Sequence, residues 1–454
     1  MKSLVAVTVC CAVVAGVSLA PTGVEPSTPQ QSTPQQRARG LRPKTPTMDT
    51  IAERYVKLVL ALGQHDRDYV DAYYGPPAWK ERAETNKLSL PEIAAQAADL
   101  IETLGWERLP SVEIERLRLH YLRGQLSALR ARVRMLSGEH LSFDQESRAL
   151  YDAVAPTLPE SHFRQILERL EGRFPGTGPL VERYDAFRRA FVIPPARLDE
   201  VFRMAIQACA DRTRAHMGLP AGEKFTVEYV TNKSWSGYNW YQGNLRSVIQ
   251  VNTDLPIYID RAVDLACHEG YPGHHAYNVL LEQHLVKERG WIEFTVYPLF
   301  SPQSLIAEGT ANFGIDVAFP GEQRLAFERS VLFPAAGLDA GRVAEYYETQ
   351  ALVDQLAYAG NEAARRYLDG QIDAAQAAAW LERYALMPRA RAVQRVKFFD
   401  QYRSYVINYN LGKDMVRRYI EAQGGTAAKP AERWEEFHKL ISSPRLPSGL
   451  QLQQ

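Results

Sequence analysis

The sequence predicts a mainly α fold, in which one large helical domain carries a small antiparallel β-sheet and a cleft between its two helical halves. Apolar residues recur at helical spacing over most of the 454 residues. Proline and glycine fall mostly between these periodic segments, where helices are expected to end. One stretch, residues 225–252, alternates in the manner of β-strands instead.

The periodicity defines two helical blocks on either side of that stretch. In the first block it predicts helices over residues 51–62, 90–104, 113–136, 163–173 and 198–217. The second block runs from 259 to about 441, with interruptions near Gly290, Pro320, Pro334, Gly370 and Pro388. Between the blocks, residues 225–230 predict one strand, and residues 237–242 and 245–251 flank Gly243-Asn244, a two-residue loop typical of hairpins.

The N-terminus predicts export. Residues 1–20 have the pattern of a secretory signal peptide, with Lys2 ahead of an apolar run that ends in small residues. Pro21 directly after the cleavage site disfavours cleavage, so the alternative to a removed signal peptide is an uncleaved N-terminal membrane anchor. Such an anchor is the only contact with a membrane that the sequence predicts. Residues 21–47 are rich in Pro, Ser, Thr and Gln and predict a disordered spacer. The folded domain is then expected over residues 48–446, in the periplasm or outside the cell.

Charge and cysteine content narrow the functional classes. Lys plus Arg equals Asp plus Glu, at 53 each, so the net charge does not favour a nucleic-acid partner. Beyond the signal segment only Cys209 and Cys267 remain. They could form a disulfide, although two buried thiols are the simpler interpretation.

The run from Cys267 to His275 is the most informative motif. Three histidines, His268, His274 and His275, fall within eight residues, and Glu269 follows the first of them. Imidazoles are common zinc ligands, and a glutamate beside the metal can activate water in a metallohydrolase. In the common zinc motif His-Glu-x-x-His the second histidine would stand at position 272, which here is Pro272.

The proline suggests how the spacing is accommodated. On an unbroken helix over residues 259–285, His275 would share a face with His268 but lie two turns away, roughly 10 Å along the axis, so that sharing one zinc would be strained. Pro272 cannot donate to the carbonyl of His268, and the glycines beside it free the backbone. A bulge that absorbs two residues would bring His274 to the second ligand position. We therefore predict His274 rather than His275 as the ligand, and exclude His284 on the far side of the helix.

A zinc site needs a third protein ligand. Glu308 lies in an apolar helical segment, Leu305 to Phe313, where an unpaired carboxylate would be costly to bury. We predict one Zn²⁺ ion held by His268, His274 and Glu308. Glu269 would act as the general base, and Asp264, one turn before His268, would orient the His268 ring. Nickel, cobalt or manganese can occupy similar sites.

These residues resemble a known bacterial family. The sequence His268–His275, followed by Glu308-Gly309-Thr310-Ala311, is similar to the His-Glu-x-x-Pro-Gly-His-His and Glu-Gly-x-Ala motifs of the "domain of unknown function 885" family. The likeness extends over most of the chain after the spacer, including residues 68–77. It implies a helical zinc metallopeptidase of the gluzincin type, with His268, His274 and Glu308 as ligands and Glu269 as the acid/base. Asn312-Phe313 departs from the family pattern.

Peptide hydrolysis also needs a donor for the developing oxyanion. Tyr402, Tyr405 and Tyr409 share one helical face by spacing, and Tyr405 or Tyr409 is the predicted catalytic donor. Arg403 could bind a substrate carboxylate. The strand at residues 238–242 could add an extended peptide to its sheet edge.

The leading hypothesis is an exported zinc metallopeptidase that cleaves short peptides with metal-activated water. A second keeps the zinc but assigns another amide or ester substrate, such as a cell-wall fragment. A third is a non-catalytic peptide-binding protein, against which the intact Glu269 argues. The natural substrate, endo- or exopeptidase action and the oligomeric state stay open.

Overall fold

A computed structural model describes residues 46–451 of the chain. The predicted signal segment (1–20) and residues 21–45 of the predicted spacer lie outside the described residues. The first helix begins at Met48, and its N-terminus is capped by the Thr47 hydroxyl, which accepts from the Thr50 amide. The last element is a 3₁₀ turn over Pro447–Leu450, in which Leu450 is buried. None of the helices in this part of the chain combines the length and apolarity needed to cross a membrane.

The mainly α prediction is confirmed. Helices form most of residues 46–451, and the five helices predicted in the first block begin and end within three residues of their predicted bounds. The helices are α1 (Met48–Leu62), α2 (Pro77–Thr85), α3 (Leu90–Trp106), α4 (Glu113–Leu136), α5 (Phe143–Tyr151), α6 (Glu160–Arg173), α7 (Leu180–Arg189), α8 (Leu198–His216), α9 (Asp260–Leu265), α10 (His274–Leu281), α11 (Pro302–Ala318), α12 (Glu322–Phe327), α13 (Phe333–Ala336), α14 (Val343–Val353), α15 (Ala359–Leu368), α16 (Ala374–Tyr384), α17 (Arg389–Tyr402), α18 (Ile407–Ala422) and α19 (Pro430–Ile441).

Two small sheets complete the fold. The strands are β1 (Val70–Tyr73), β2 (Lys224–Val230), β3 (Gly237–Gly243), β4 (Arg246–Asn252) and β5 (Val296–Pro298). The antiparallel pair β1–β5 was not predicted. Its strands are only four and three residues long, so they carry too little alternation to be recognised.

The three-stranded sheet corrects the predicted topology. Its order is β2-β4-β3; β3 and β4 form the predicted antiparallel hairpin, but β2 runs parallel to β4. The sheet is therefore mixed rather than antiparallel. The hairpin turn is also one residue later than predicted, since Asn244 and Leu245 are its central residues, at φ 54° and 61°. Two central residues at positive φ are typical of a type I′ turn, whose twist suits a two-residue hairpin loop.

The helix that carries the histidine motif is interrupted as predicted. After α9, residues Ala266–Gly270 form a π-helical turn, and the chain then leaves the helix until α10 begins at His274. The Tyr271 amide donates to Ala266 O (3.1 Å) and the Gly273 amide to Cys267 O (2.9 Å), so the turn is wider than in an α-helix.

Glycine is required at position 273 because the excursion folds back onto the turn. A β-carbon there would lie 1.9 Å from His268 O and 2.4 Å from Cys267 O, and backbone atoms cannot move aside cheaply. Pro272 packs against α11 beside Gly314, where an added β-carbon would be 3.1 Å from the proline ring. The interruption is thus held by packing on both sides.

A close helix crossing positions the second half of the site. Helices α11 and α18 approach so tightly that a β-carbon on Gly309 would lie 2.5 Å from the Gly412 carbonyl carbon. Gly412 is equally constrained, since its β-carbon would meet Leu305 O at 2.8 Å. The glycine of the Glu-Gly-x-Ala segment therefore serves packing, and it fixes Glu308 relative to α18.

The two cysteines lie next to each other in the core. Cys209 on α8 and Cys267 in the π-helical turn are both fully buried, with their Sγ atoms in contact as free thiols. The thiols thus pack α8 against the histidine-bearing turn.

We expect Gly273→Ala to destabilise the protein by about 3 kcal/mol or more, because the new methyl group overlaps two backbone carbonyl oxygens. Thermal and denaturant unfolding would measure the loss. Gly105→Ala is the matched control: Gly105 is an exposed helical residue with nothing within 4 Å of a β-carbon, so alanine should raise stability by up to about 1 kcal/mol. Equal stability of the two variants would contradict this account of the turn.

Candidate metal centre

Three ligand atoms from the predicted site meet at one point. His268 Nε2 lies 3.1 Å from His274 Nε2 and 3.2 Å from Glu308 Oε2, and His274 Nε2 lies 3.7 Å from the same oxygen. The π-helical turn and the excursion after it allow the two imidazoles to converge although they are six residues apart. Helix α11 brings Glu308 to them from a separate part of the chain.

These separations suit a tetrahedral metal ion. Zinc binds histidine nitrogen and carboxylate oxygen at about 2.0–2.2 Å, so neighbouring ligand atoms around it are about 3.3 Å apart. The three observed distances bracket that value. The chemistry of the set, two imidazoles and one carboxylate, is also that of known catalytic zinc sites. The residues therefore fit the metal that the sequence predicts.

The two oxygens of Glu308 have different surroundings. Oε1 accepts a hydrogen bond from the Tyr405 hydroxyl at 2.8 Å. Oε2 is buried, has no hydrogen-bond donor of suitable geometry among the described residues, and faces the two imidazoles. Burial alone would raise the pKa of Glu308, but the histidines outweigh it and hold that pKa well below its ordinary value. The carboxylate is therefore ionised and directed at the convergence point.

Glu269 approaches the same point from beside the first histidine. One of its carboxylate oxygens lies within 4.8 Å of the ligand nitrogens of His268 and His274, and the residue is buried. Space for this carboxylate depends on Gly237 at the start of β3, where a β-carbon would lie 2.7 Å from Glu269 Oε1. A second carboxylate thus stands beside the three convergent atoms, in the place expected of a general base.

His275 points away from the centre. Its ring is fully buried, and it contacts Ser247 Oγ through Nδ1 and Glu223 Oε2 through Nε2, both at 2.8 Å. Burial lowers the pKa of His275 despite the nearby carboxylate. Although burial would raise the pKa of Glu223, its hydrogen bonds to His275, Tyr271 and Arg214 lower that pKa to about 2. His275 therefore links α10 to the three-stranded sheet through Ser247 on β4.

The predicted orienting role of Asp264 is wrong. Asp264 is bound to Arg324 at 2.8 Å and contacts Arg261, and these cations lower its pKa although burial would raise it. The residue that contacts His268 Nδ1 is Asn312, whose Oδ1 lies 3.2 Å away. Asn312 in turn donates from Nδ2 to Tyr409 O. A proton on Nδ1 leaves His268 Nε2 free to bind metal, so Asn312 supplies the support assigned to Asp264.

The convergent residues lie in a cleft of about 700 Å³. Its walls come from both helical halves and from β1 and β3. Of the predicted tyrosines, Tyr405 is held by Glu308, whereas Tyr402 and Tyr409 are half-buried and line the cleft. Burial, Glu308 and Glu269 raise the pKa of Tyr409 well above its ordinary value, partly offset by Arg395. Tyr409 is therefore a neutral hydroxyl donor at pH 7.

One cleft residue, Asp71, was not recognised as a site residue from sequence. Asp71 on β1 accepts a hydrogen bond from the Tyr238 hydroxyl at 3.0 Å. Burial raises the pKa of Asp71 to about 6, against the lowering effect of that hydrogen bond and of His274. Only the structure shows that this short strand reaches the centre, because Asp71 and His274 are about 200 residues apart in sequence.

The predicted substrate role of Arg403 is wrong. Its Nε donates to Glu146 Oε2 at 2.6 Å, and the buried Glu146 also accepts from Ser404, so the guanidinium serves the packing of α5.

Three residues of the hairpin strand, Tyr238, Asn239 and Tyr241, line the cleft, whereas Trp240 is exposed. The Tyr241 hydroxyl donates to Glu282 Oε2. β3 is an edge of its sheet.

Comparisons with known proteins give no family and only distant structural likeness. No protein-family model matches the chain, and no curated protein does. A solved structure from Colwellia psychrerythraea, described as a "putative lipoprotein", has 14% identity and a TM-score of 0.49, covering 89% of this chain and 75% of its own. A structure named CHT has 11% identity and a TM-score of 0.44; the match covers 87% of this chain and 90% of that structure. A "putative lipoprotein of unknown function" from Shewanella oneidensis has 13% identity and a TM-score of 0.39; the match covers 88% of this chain and 89% of that structure.

We expect His274→Ala to lose bound metal and His275→Ala to retain it. His274 Nε2 is one of the three convergent atoms, whereas both nitrogens of His275 are occupied by Ser247 and Glu223. His275→Ala should instead lower the free energy of unfolding by about 2–4 kcal/mol, because it leaves a cavity and unpaired buried groups. Metal analysis by mass spectrometry and thermal unfolding would separate the two effects. Metal loss in both variants without unfolding would contradict the assignment.

Asn312→Ala should weaken zinc affinity about 10- to 100-fold, as expected when a ligand histidine loses its supporting hydrogen bond. Competition with a chromophoric chelator would measure the affinity. Asn410→Ala is the control, since Asn410 bonds Asn361 and the Ala357 carbonyl and does not line the cleft. An unchanged affinity in Asn312→Ala would show that the contact does not orient His268.

Proposed function

We propose that the protein is a zinc-dependent hydrolase that cleaves short peptides. The observation that carries the proposal is the convergence of His268, His274 and Glu308 on one point, with the Glu269 carboxylate beside it. The residues match those that the resemblance to the "domain of unknown function 885" family implies. Export of the protein is part of the same proposal and rests on the signal-like N-terminus.

Zinc, when bound by His268, His274 and Glu308, would polarise a substrate carbonyl and acidify a water molecule. Glu269 would take the proton from that water and return it to the leaving amine, since its carboxylate is fixed next to the centre. Tyr409, which lines the cleft with a neutral hydroxyl, would donate to the developing oxyanion. Tyr405 is a positioning residue because its hydroxyl is committed to Glu308.

A peptide is favoured as substrate by the strand beside Glu269. Asn239 on β3 donates from Nδ2 to Glu269 O at 2.8 Å, and its buried Oδ1 has no hydrogen-bond partner among residues 46–451. Asn239 lines the cleft, so this oxygen could accept from a substrate amide. β3 is also an edge strand, to which an extended peptide could add by main-chain hydrogen bonds.

We expect Glu269→Gln to lower kcat by about 10²- to 10⁴-fold, the range attributed to general acid–base catalysis, while zinc stays bound. Turnover of a mixed library of short peptides, followed by mass spectrometry, would measure the loss, and metal analysis would report the zinc. Glu288→Gln is the control because Glu288 is exposed and contacts His284 outside the cleft.

Two outcomes would contradict the proposal. One is purified wild-type protein that holds no divalent metal and takes up none from solution. The other is peptide cleavage that continues unchanged in Glu269→Gln.

A further inference from the structure

The same cleft carries guanidinium groups that have no carboxylate partner. Arg188 on α7 and Arg391 and Arg395 on α17 line it, and no carboxylate oxygen of the described residues lies within 4.0 Å of any of the three. The Nε atoms of Arg188 and Arg395 are buried and have no hydrogen-bond acceptor within residues 46–451. Other arginines of the fold, such as the buried Arg118 and the half-buried Arg324, are paired with carboxylates.

The two arginines of α17 are neighbours on one helical face. Residues four apart in a helix stack one above the other, and like charges at that spacing repel each other. Arg391 has one hydrogen bond, from Nη2 to Pro256 O, and its ring neighbour Tyr258 is shared with Arg188. Burial and the charge of Arg188 both lower the pKa of Arg391. The Asp260 carboxylate acts on Arg391 and Arg188 from a distance, but neither guanidinium has a carboxylate oxygen of the described residues within 4.0 Å.

Arg395 connects this positive region to the candidate metal centre. Its Cζ lies 5.7 Å from the Tyr409 ring, and Tyr409 packs on Tyr405, which holds Glu308. Burial lowers the pKa of Arg395, whereas Tyr409 and Glu308 raise it. A guanidinium stays charged at any physiological pH and binds carboxylates through paired N–H groups.

We propose that Arg391 and Arg395, flanked by Arg188, form a subsite for a carboxylate group of the substrate. This inference rests on the proposed peptidase function and adds a substrate class to it. A peptide bound with its scissile carbonyl at the candidate metal centre would extend through the same cleft that these arginines line. The α-carboxylate of a peptide C-terminus and the side chain of Asp or Glu share this chemistry, and the experiment below distinguishes them.

The test measures binding rather than turnover. Glu269→Gln protein, with its metal, is incubated with a library of acetylated tripeptides as free acids and with the same library as C-terminal amides. Retained peptides are identified by ultrafiltration and mass spectrometry. We expect free acids to be retained at least tenfold over amides, and Arg391→Gln or Arg395→Gln, each in that background, to bring the ratio close to one. Arg395→Lys should keep part of the preference because it keeps the charge.

Arg389→Gln is the matched control. Arg389 is on the same helix but is exposed and paired with Glu382, so the ratio should be unchanged. Amidated peptides that contain Asp or Glu, if retained as strongly as free acids, would support the subsite and assign its carboxylate to a side chain. Equal retention of neutral and acidic peptides by the Glu269→Gln protein would overturn the inference, as would a preference that survives both arginine substitutions.

Failure of the proposed peptidase function would give different results from failure of the carboxylate subsite. If wild-type protein cleaves no peptide but still selects free acids through Arg391 and Arg395, the carboxylate subsite stands without the peptidase. If it cleaves acids and amides equally, and both arginine variants do so too, the peptidase stands without the subsite.

Discussion

The backbone contact between Gly273 and the turn below it is the constraint on which the candidate centre depends. With no β-carbon at position 273, the chain can rest on the carbonyl oxygens of Cys267 and His268 before it re-enters a helix at His274. This contact shortens the path between His268 and His274, so that side chains six residues apart bring their Nε2 atoms to 3.1 Å. A larger residue would push the excursion outward and separate the two imidazoles.

A second close approach of backbones supplies the carboxylate. Gly309 and Gly412 let α11 and α18 cross with their main chains in contact, which sets Glu308 opposite the histidines and Tyr405 behind Glu308. Both halves of the site therefore rest on glycines that no side chain could replace. Because hydrogen bonds and packing already fix these side chains, little ordering entropy remains to be lost when a ligand binds.

The sequence allowed prediction of features that depend on local patterns. Apolar periodicity located the long helices, and the chemistry of Pro272 and Gly273 predicted the interruption of the histidine-bearing helix. The same reasoning chose His274 over His275 as a ligand; that choice stays a prediction, and His274 Nε2 lies 3.1 Å from His268 Nε2. Features that depend on distant pairing were missed or wrong. The parallel pairing of β2 with β4 and the approach of β1 to the centre involve residues far apart in the chain. Asp264 was favoured over Asn312 because spacing on one helix was visible, whereas the crossing of α11 was not.

The charges at the candidate metal centre bear on the cleft arginines that have no carboxylate partner, Arg188, Arg391 and Arg395. With a divalent cation bound at the candidate centre, the carboxylates of Glu308 and Glu269 would together offset its charge without a guanidinium. Asp71 lines the cleft as well; burial raises its pKa to about 6, so it is mostly ionised at pH 7, and it accepts a hydrogen bond from Tyr238. Glu308 acts on Arg395 from a distance, but neither Arg391 nor Arg395 has a carboxylate oxygen of the described residues within 4.0 Å. Buried guanidinium groups without a hydrogen-bonded carboxylate are costly to keep, and an anionic group brought in by a ligand would relieve that cost where Arg395 adjoins Tyr409.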